Sequence, residues 1–172
     1  SDNGGYGPAT SMHPLKGYKG TYYEGGIRVP FFVNWPNVVA SDTHCSTPIT
    51  GFDIYPTICE MIIGQNYENH KGDGVSIVPL LKGNKIKDRA LYWHFPAYLQ
   101  SYQRADEQPD PLFRARPCSV IRKGRWKLIE YFENNNVELF DLNEDIGEKN
   151  NLSKRRPEIA KSLKTHLDIW RK

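Results

Sequence analysis

The chain has 172 residues, a length suited to about one globular domain, and 38% hydrophobic with 12% aromatic residues supply enough apolar material for a core. That excludes a wholly disordered chain, and no run approaches the ~20 apolar residues of a membrane span. The net charge of +3 is local: Ser153–Lys172 holds seven of the 23 basic residues and two of the 20 acidic ones, leaving 16 against 18 elsewhere. A basic tail of this kind is not a stripe built for nucleic acid.

In chain order, residues 1–26 are dense in glycine, and their four tyrosines argue against disorder. The polar start Ser1-Asp2-Asn3-Gly4-Gly5 does not resemble a signal peptide. Ile27–Trp35 (IRVPFFVNW) reads as a short buried strand. Asp53–Ile63 spaces Ile54, Ile58, Met61 and Ile62 as a helix, with Thr50 or Asp53 as N-cap and Gly64 as stop. A loop follows to about Asp88, with Val75–Leu81 as an apolar insert.

Ala90–Phe95 reads as a strand, and Gln100–Pro117 as a polar excursion. Ser119–Arg122 and Trp126–Phe132 flank Lys123-Gly124-Arg125 as a hairpin, and Val137–Leu142 forms a further strand. Pro157–Trp170 closes as a helix with Ile159, Leu163, Leu167 and Trp170 on one face. The second half therefore predicts a small antiparallel sheet with a helix laid on it. Cys45, Cys59 and Cys118 are an odd, widely spaced set, which predicts buried free thiols rather than a disulfide framework or zinc site.

Two constellations carry chemistry. Asp2 and Asn3 offer hard oxygen ligands suited to calcium or magnesium, and the adjacent glycine lets the backbone turn; the same three residues also make an ordinary turn. Pro14–Arg28 (PLKGYKGTYYEGGIR) sets two lysines among glycines, which can surround an anion with ammonium and N–H groups or form a solvated loop. The spacing is not that of a Walker A motif.

The strings SDNGG (1–5), PLKGYKGTYYEGGIRVPFFVNWP (14–36) and DIYPTICEMIIG (53–64) resemble the downstream half of a type I, formylglycine-dependent sulfatase. LYWHFP (91–96), IRKGRWKLIEYF (121–132), ELFDLNEDIGEKNNL (138–152) and PEIAKSL (157–163) are similar to that family's C-terminal subdomain. The resemblance implies an α/β fold of the alkaline-phosphatase-like superfamily, α+β within this chain. Residues 1–85 would close the catalytic domain, and 86–172 would form the C-terminal subdomain. It further implies that Asp2 and Asn3 help bind a divalent cation, usually Ca2+, and that Lys19 contacts the sulfate group. Lys16 and His13 lie in the same region as further substrate candidates. Glu24 and Arg28 match residues that tie the loop to the following strand. His94, Tyr98 and Arg104 are candidates for contacting a sugar by stacking and hydrogen bonds, with a packed strand end as the plainer reading of His94.

One departure stands out. The family's formylglycine arises from Cys or Ser in a Cys/Ser-x-Pro/Ala-x-Arg motif, and no such motif occurs in this sequence. The expectation is a C-terminal piece of a longer enzyme, inactive alone, whose partner is the enzyme's own N-terminal part. The substrate implied is a sulfated carbohydrate or aryl sulfate, and the compartment periplasmic or extracellular. Apolar surface in the first half is expected to be exposed or paired in a non-native dimer. Rival readings are a phosphate or phosphonate monoester hydrolase, a non-catalytic carbohydrate-binding module, and a pseudo-enzyme. Asn151-Leu152-Ser153 fits the N-glycosylation pattern, and Lys154-Arg155-Arg156 reads as a solvated helix lead-in, with a glycosaminoglycan contact as the sharper alternative.

Overall fold

The computed structural model describes residues 1–64, 72–102, 110 and 112–172. Two compact units emerge: residues 1–30 with 89–172, and residues 31–88.

The first unit is built on a four-stranded antiparallel sheet of β1 (Ala90–Phe95), β4 (Cys118–Lys123), β5 (Trp126–Tyr131) and β6 (Val137–Asp141), in that order. The β4–β5 hairpin closes through Gly124 and Arg125, with Gly124 at φ 57°, a conformation that favours glycine. A separate two-stranded ribbon, β2 (Leu99–Gln100) with β3 (Phe113–Ala115), forms within the predicted excursion.

Both faces of the sheet are covered, which is why Val120 and Ile121, neighbours pointing opposite ways, are both fully buried. One face packs Ile121, Leu128 and Leu139 against Leu163 and Leu167 of α4 (Pro157–Trp170). The apolar stripe read from the sequence is the face that packs, and Trp170 extends it by stacking on Tyr92 with centroids 4.8 Å apart. The other face gathers Cys118, Val120, Ile129, Tyr131 and Phe140 around Tyr23, which comes from the glycine-rich N-terminal segment. That segment holds one helical turn, α1 (Glu24–Ile27). The mixed helix–sheet class and the sheet-plus-helix second half are as expected.

In the second unit, α2 (Ile54–Ile63) follows a 3-10 turn over Gly51–Asp53. Thr50 and Asp53 form a reciprocal capping box, and Gly64 ends the helix. Buried Asp53 also accepts from the Val75 N–H at 2.9 Å, tying the helix start to the segment before α3 (Val78–Leu81).

Two expectations are corrected. Residues 28–35 form no strand. A strand needs a neighbouring ladder, and among the described residues no strand pairs with this run; Phe32 is 90% exposed. The thiols are free, but only Cys118 is buried; Cys45 is exposed and Cys59 half-buried. Asn151 braces the sheet edge. Its side-chain oxygen accepts from the Leu139 and Ser153 N–H groups, and its amide donates to the Val137 carbonyl. Among the described residues no helix is long and apolar enough to cross a membrane.

Candidate active site

The N-terminal motif and the lysine loop meet through their backbones. Gly4 N–H donates to the Gly26 carbonyl at 2.9 Å, and Lys19 N–H donates to the Gly5 carbonyl at 3.0 Å. Gly4 is needed for this approach: a Cβ there would lie 1.9 Å from the Gly25 carbonyl oxygen. Asp2-Asn3 and Lys19 are thereby held on one small scaffold. Asn3 Nδ2 donates to Asp2 Oδ2 at 2.6 Å, which brings the two side chains together. Among the described residues no cluster of three or more His, Cys, Asp or Glu side chains completes a metal site.

The two lysines differ. The Lys19 side chain is exposed, with no hydrogen bond or ion pair among the described residues, so its ammonium is available to an anion. Lys16 is engaged internally: its Nζ lies 3.9 Å from the Tyr23 ring centroid and donates to the Glu148 carbonyl at 3.4 Å.

Beneath the loop lies a buried charge network. Lys127 Nζ sits 3.0 Å from Glu24 Oε1 and 2.9 Å from Glu148 Oε1, and all three residues are fully buried. The Glu24 N–H donates to Glu148 Oε2 at 2.6 Å. Arg122 and Arg28 approach the other Glu24 oxygen at 3.5 and 3.6 Å. Burial raises the Glu148 carboxyl above its ordinary range, with Lys127 pulling the other way, and burial lowers the Arg122 guanidinium, with Glu24 opposing. Glu24 and Arg28 thus anchor the loop, but onto the sheet rather than onto a following strand. The pattern hint for Lys127 is its position two residues from Ile129 and four from Tyr131, a charge on an apolar sheet face.

Tyr23 continues the anchor on the same face. Its hydroxyl donates to Glu138 Oε2 at 2.8 Å and shares a 3.1 Å hydrogen bond with the Tyr131 hydroxyl. Burial raises both phenols, and it pushes the neighbouring Cys118 thiol up to about 12, so that thiol is not a nucleophile at neutral pH. Cys118 and Tyr131 line a small cleft together with Tyr22, Phe113 and Arg116.

His94 and Tyr98 gather at the end of β5. His94 is exposed; its Nδ1 shares a 2.8 Å hydrogen bond with buried Ser119 Oγ, and its ring lies 5.6 Å from Phe132. Tyr98 donates to Glu133 at 2.6 Å and packs on Phe113. His13 is exposed, and its side chain makes no hydrogen bond among the described residues. Arg104 lies outside the described residues. The pattern did not single out Arg114 and Tyr102, which reach the lysine loop from the excursion: the Arg114 guanidinium carbon lies 3.9 Å from the Tyr102 ring centroid.

Residues 18–172 match the family described as N-sulphoglucosamine sulphohydrolase, C-terminal. The chain belongs to this sulfatase family. It is 33% identical to a sulfatase of Formosa agariphila over 99% of its own length and 32% of that protein. It is 29% identical to mouse arylsulfatase J, over all of this chain and 34% of that one. Among solved structures, Ps i-CgsB superposes with a TM-score of 0.77 at 28% identity, over 99% of this chain and 35% of the other. The same protein has been solved with k-i-k-neocarrahexaose. The chain spans about a third of the length of the curated relatives it matches.

Proposed function

We propose that the whole protein bearing this chain hydrolyses sulfate monoesters on a sulfated carbohydrate. The observation that carries this reading is the joining of the Asp2-Asn3-Gly4 motif to the Lys19 loop, in a chain of a sulfatase family. Asp2 and Asn3 fit a divalent cation, calcium by family likeness: both present hard oxygens, and the Gly4–Gly25 contact fixes the backbone that carries them. When bound there, such a cation would supply positive charge to the sulfate group. Lys19 lies on the same scaffold with a free ammonium. It binds the sulfate and offsets the negative charge that develops as the S–O bond breaks. The Glu24–Lys127–Glu148 network fixes the loop, so that stabilisation needs little rearrangement during reaction.

In this reading residues 1–85 belong to the catalytic α/β domain and 86–172 form its C-terminal subdomain. The nucleophile, a formylglycine, comes from another part of the same enzyme, and that part covers the exposed apolar residues Phe31, Phe32, Ile58 and Ile62. His94 and Tyr98 contact the sugar, and the enzyme works in the periplasm or outside the cell. The likeness to Ps i-CgsB and to a Bacteroides hexuronate-2-O-sulfatase supports a carbohydrate substrate.

The test is paired turnover of 4-nitrophenyl sulfate and 4-nitrophenyl phosphate by the full-length protein. Sulfate turnover that falls about 100-fold or more in Lys19→Ala supports the reading. Preference for the phosphate ester, or turnover indifferent to Lys19, overturns it.

A further inference from the structure

We propose that Asn3 is a latent modification site: the hydrogen bond between Gly4 and Gly26 holds back its spontaneous conversion to aspartate and isoaspartate, and opening of that bond releases it. The inference goes beyond the sulfatase reading and does not depend on it. Asn3-Gly4 is the only Asn-Gly pair in the sequence. In such a pair no side chain screens the following nitrogen, which can close on the asparagine side chain. The fold nonetheless calls for this pair. A Cβ at Gly4 has no room beside the Gly25 carbonyl oxygen, and the Asn3 amide donates to Asp2 Oδ2. The residues that join the motif to the lysine loop are thus the same ones that make it chemically labile.

The structure holds the Asn3–Gly4 peptide at both ends. Gly4 N–H donates to the Gly26 carbonyl at 2.9 Å, and the Asn3 carbonyl accepts from Ser1 Oγ at 2.8 Å. Gly4 is buried, so its nitrogen is shielded from solvent base while the bond is closed. Attack also needs the peptide to rotate about the Asn3 Cα–C bond, which both hydrogen bonds resist. Once the segment opens, the Gly4 nitrogen bonds to Asn3 Cγ and the Cγ–Nδ2 bond breaks. Nδ2 leaves as ammonia, carrying the proton lost from Gly4. Water then opens the cyclic imide: cleavage at Cγ gives aspartate, and cleavage at the Asn3 main-chain carbonyl gives isoaspartate. Aspartate sets a second carboxylate against Asp2, where the amide had donated at 2.6 Å. Isoaspartate adds a carbon to the main chain directly before Gly4, and the close fit of Gly4 against the Gly25 carbonyl leaves no slack to absorb it. Gly5, the next residue, accepts from the Lys19 N–H, so the displacement reaches the lysine loop.

The experiment incubates the full-length protein, its Lys127→Met variant and the free peptide Ser1–Tyr6 at physiological pH and temperature. Peptide mass mapping follows the amide-to-acid conversion of Asn3, an isoaspartate methyltransferase counts the isoaspartate, and hydrogen exchange reports opening at Gly4. The expected result is conversion at least about 10-fold slower in the protein than in the peptide, with sub-denaturing urea raising conversion and Gly4 exchange by the same factor. Lys127→Met loosens the network that anchors Glu24, and with it the Gly26 segment, so it raises both as well. If that variant does not fold, the urea series on wild type decides alone. Conversion of the folded protein at the peptide's rate, or conversion that does not follow Gly4 exchange, overturns the proposal. Neither readout uses turnover, so failure of the sulfatase reading shows separately, as absent 4-nitrophenyl sulfate hydrolysis.

Discussion

Lys127 and Glu148 meet inside the first unit, Nζ to Oε1 2.9 Å, with neither side chain open to solvent. Glu24 completes the set from the lysine loop, so one ammonium answers two carboxylates. Removing the ammonium leaves both carboxylates buried without it, and Lys127→Met is expected to destabilise by about 3–5 kcal/mol. The double change Lys127→Met with Glu148→Gln should recover part of that loss. Urea unfolding monitored by tryptophan fluorescence checks both; a Lys127→Met loss below about 1 kcal/mol would contradict the network's role.

Lys16 and Lys19 are three residues apart and should behave oppositely. Lys16→Ala removes a cation from the Tyr23 ring and is expected to cost about 0.5–2 kcal/mol of stability. Lys19→Ala breaks no contact among the described residues and should leave the melting temperature unchanged. Its effect should fall on aryl sulfate turnover. Thermal melts and kinetics on the same two variants separate the roles.

Arg125 in the hairpin turn grips Asp141 of β6, Nε to Oδ1 at 2.7 Å and Nη2 to Oδ2 at 2.5 Å. The guanidinium holds the Asp141 carboxyl below its ordinary range. A carboxyl depressed in the folded state contributes stability above its unfolded pKa, and that stability is lost as pH falls through the folded value. Arg125→Ala should therefore lower stability at pH 7, and by progressively less below pH ~4, where wild type loses the same contribution. Denaturant midpoints across that range provide the check.

His94 holds Ser119 with one ring nitrogen, and its Nε2 makes no hydrogen bond among the described residues. His94→Ala leaves a buried hydroxyl unpaired, at about 1–3 kcal/mol, and in the full-length enzyme should raise KM for a sulfated sugar severalfold. Unchanged KM alongside the stability loss would make His94 a packing residue.

How much of this could be read in advance depended on how local the signal was. The α4 stripe, the Gly124 turn and the Thr50–Asp53 cap each lie within a few residues, where periodicity and capping chemistry act, and each formed where the pattern put it. Ile27–Trp35 misled because an apolar run specifies burial, not the partner that would make it a strand. The pairing of Glu24 with Lys127 spans 103 residues, and no local pattern encodes which carboxylate a buried lysine will find. Asp2, Asn3 and Lys19 came from motif resemblance, and the backbone bonds between their segments became visible only in the fold. Arg114 escaped for the same reason: it lies within a polar stretch, and its closeness to Lys19 is created by the ribbon.

Among the described residues the β2–β3 ribbon pairs with itself and shares no ladder with the four-stranded sheet. Its length and side chains can therefore change without shifting the register of any core strand. Arg114 of the ribbon stands against Gly20, so an exchange there changes what neighbours the Lys19 loop while the sheet stays constant. For engineering, the stretch from Leu99 to Ala115 is the cassette to exchange.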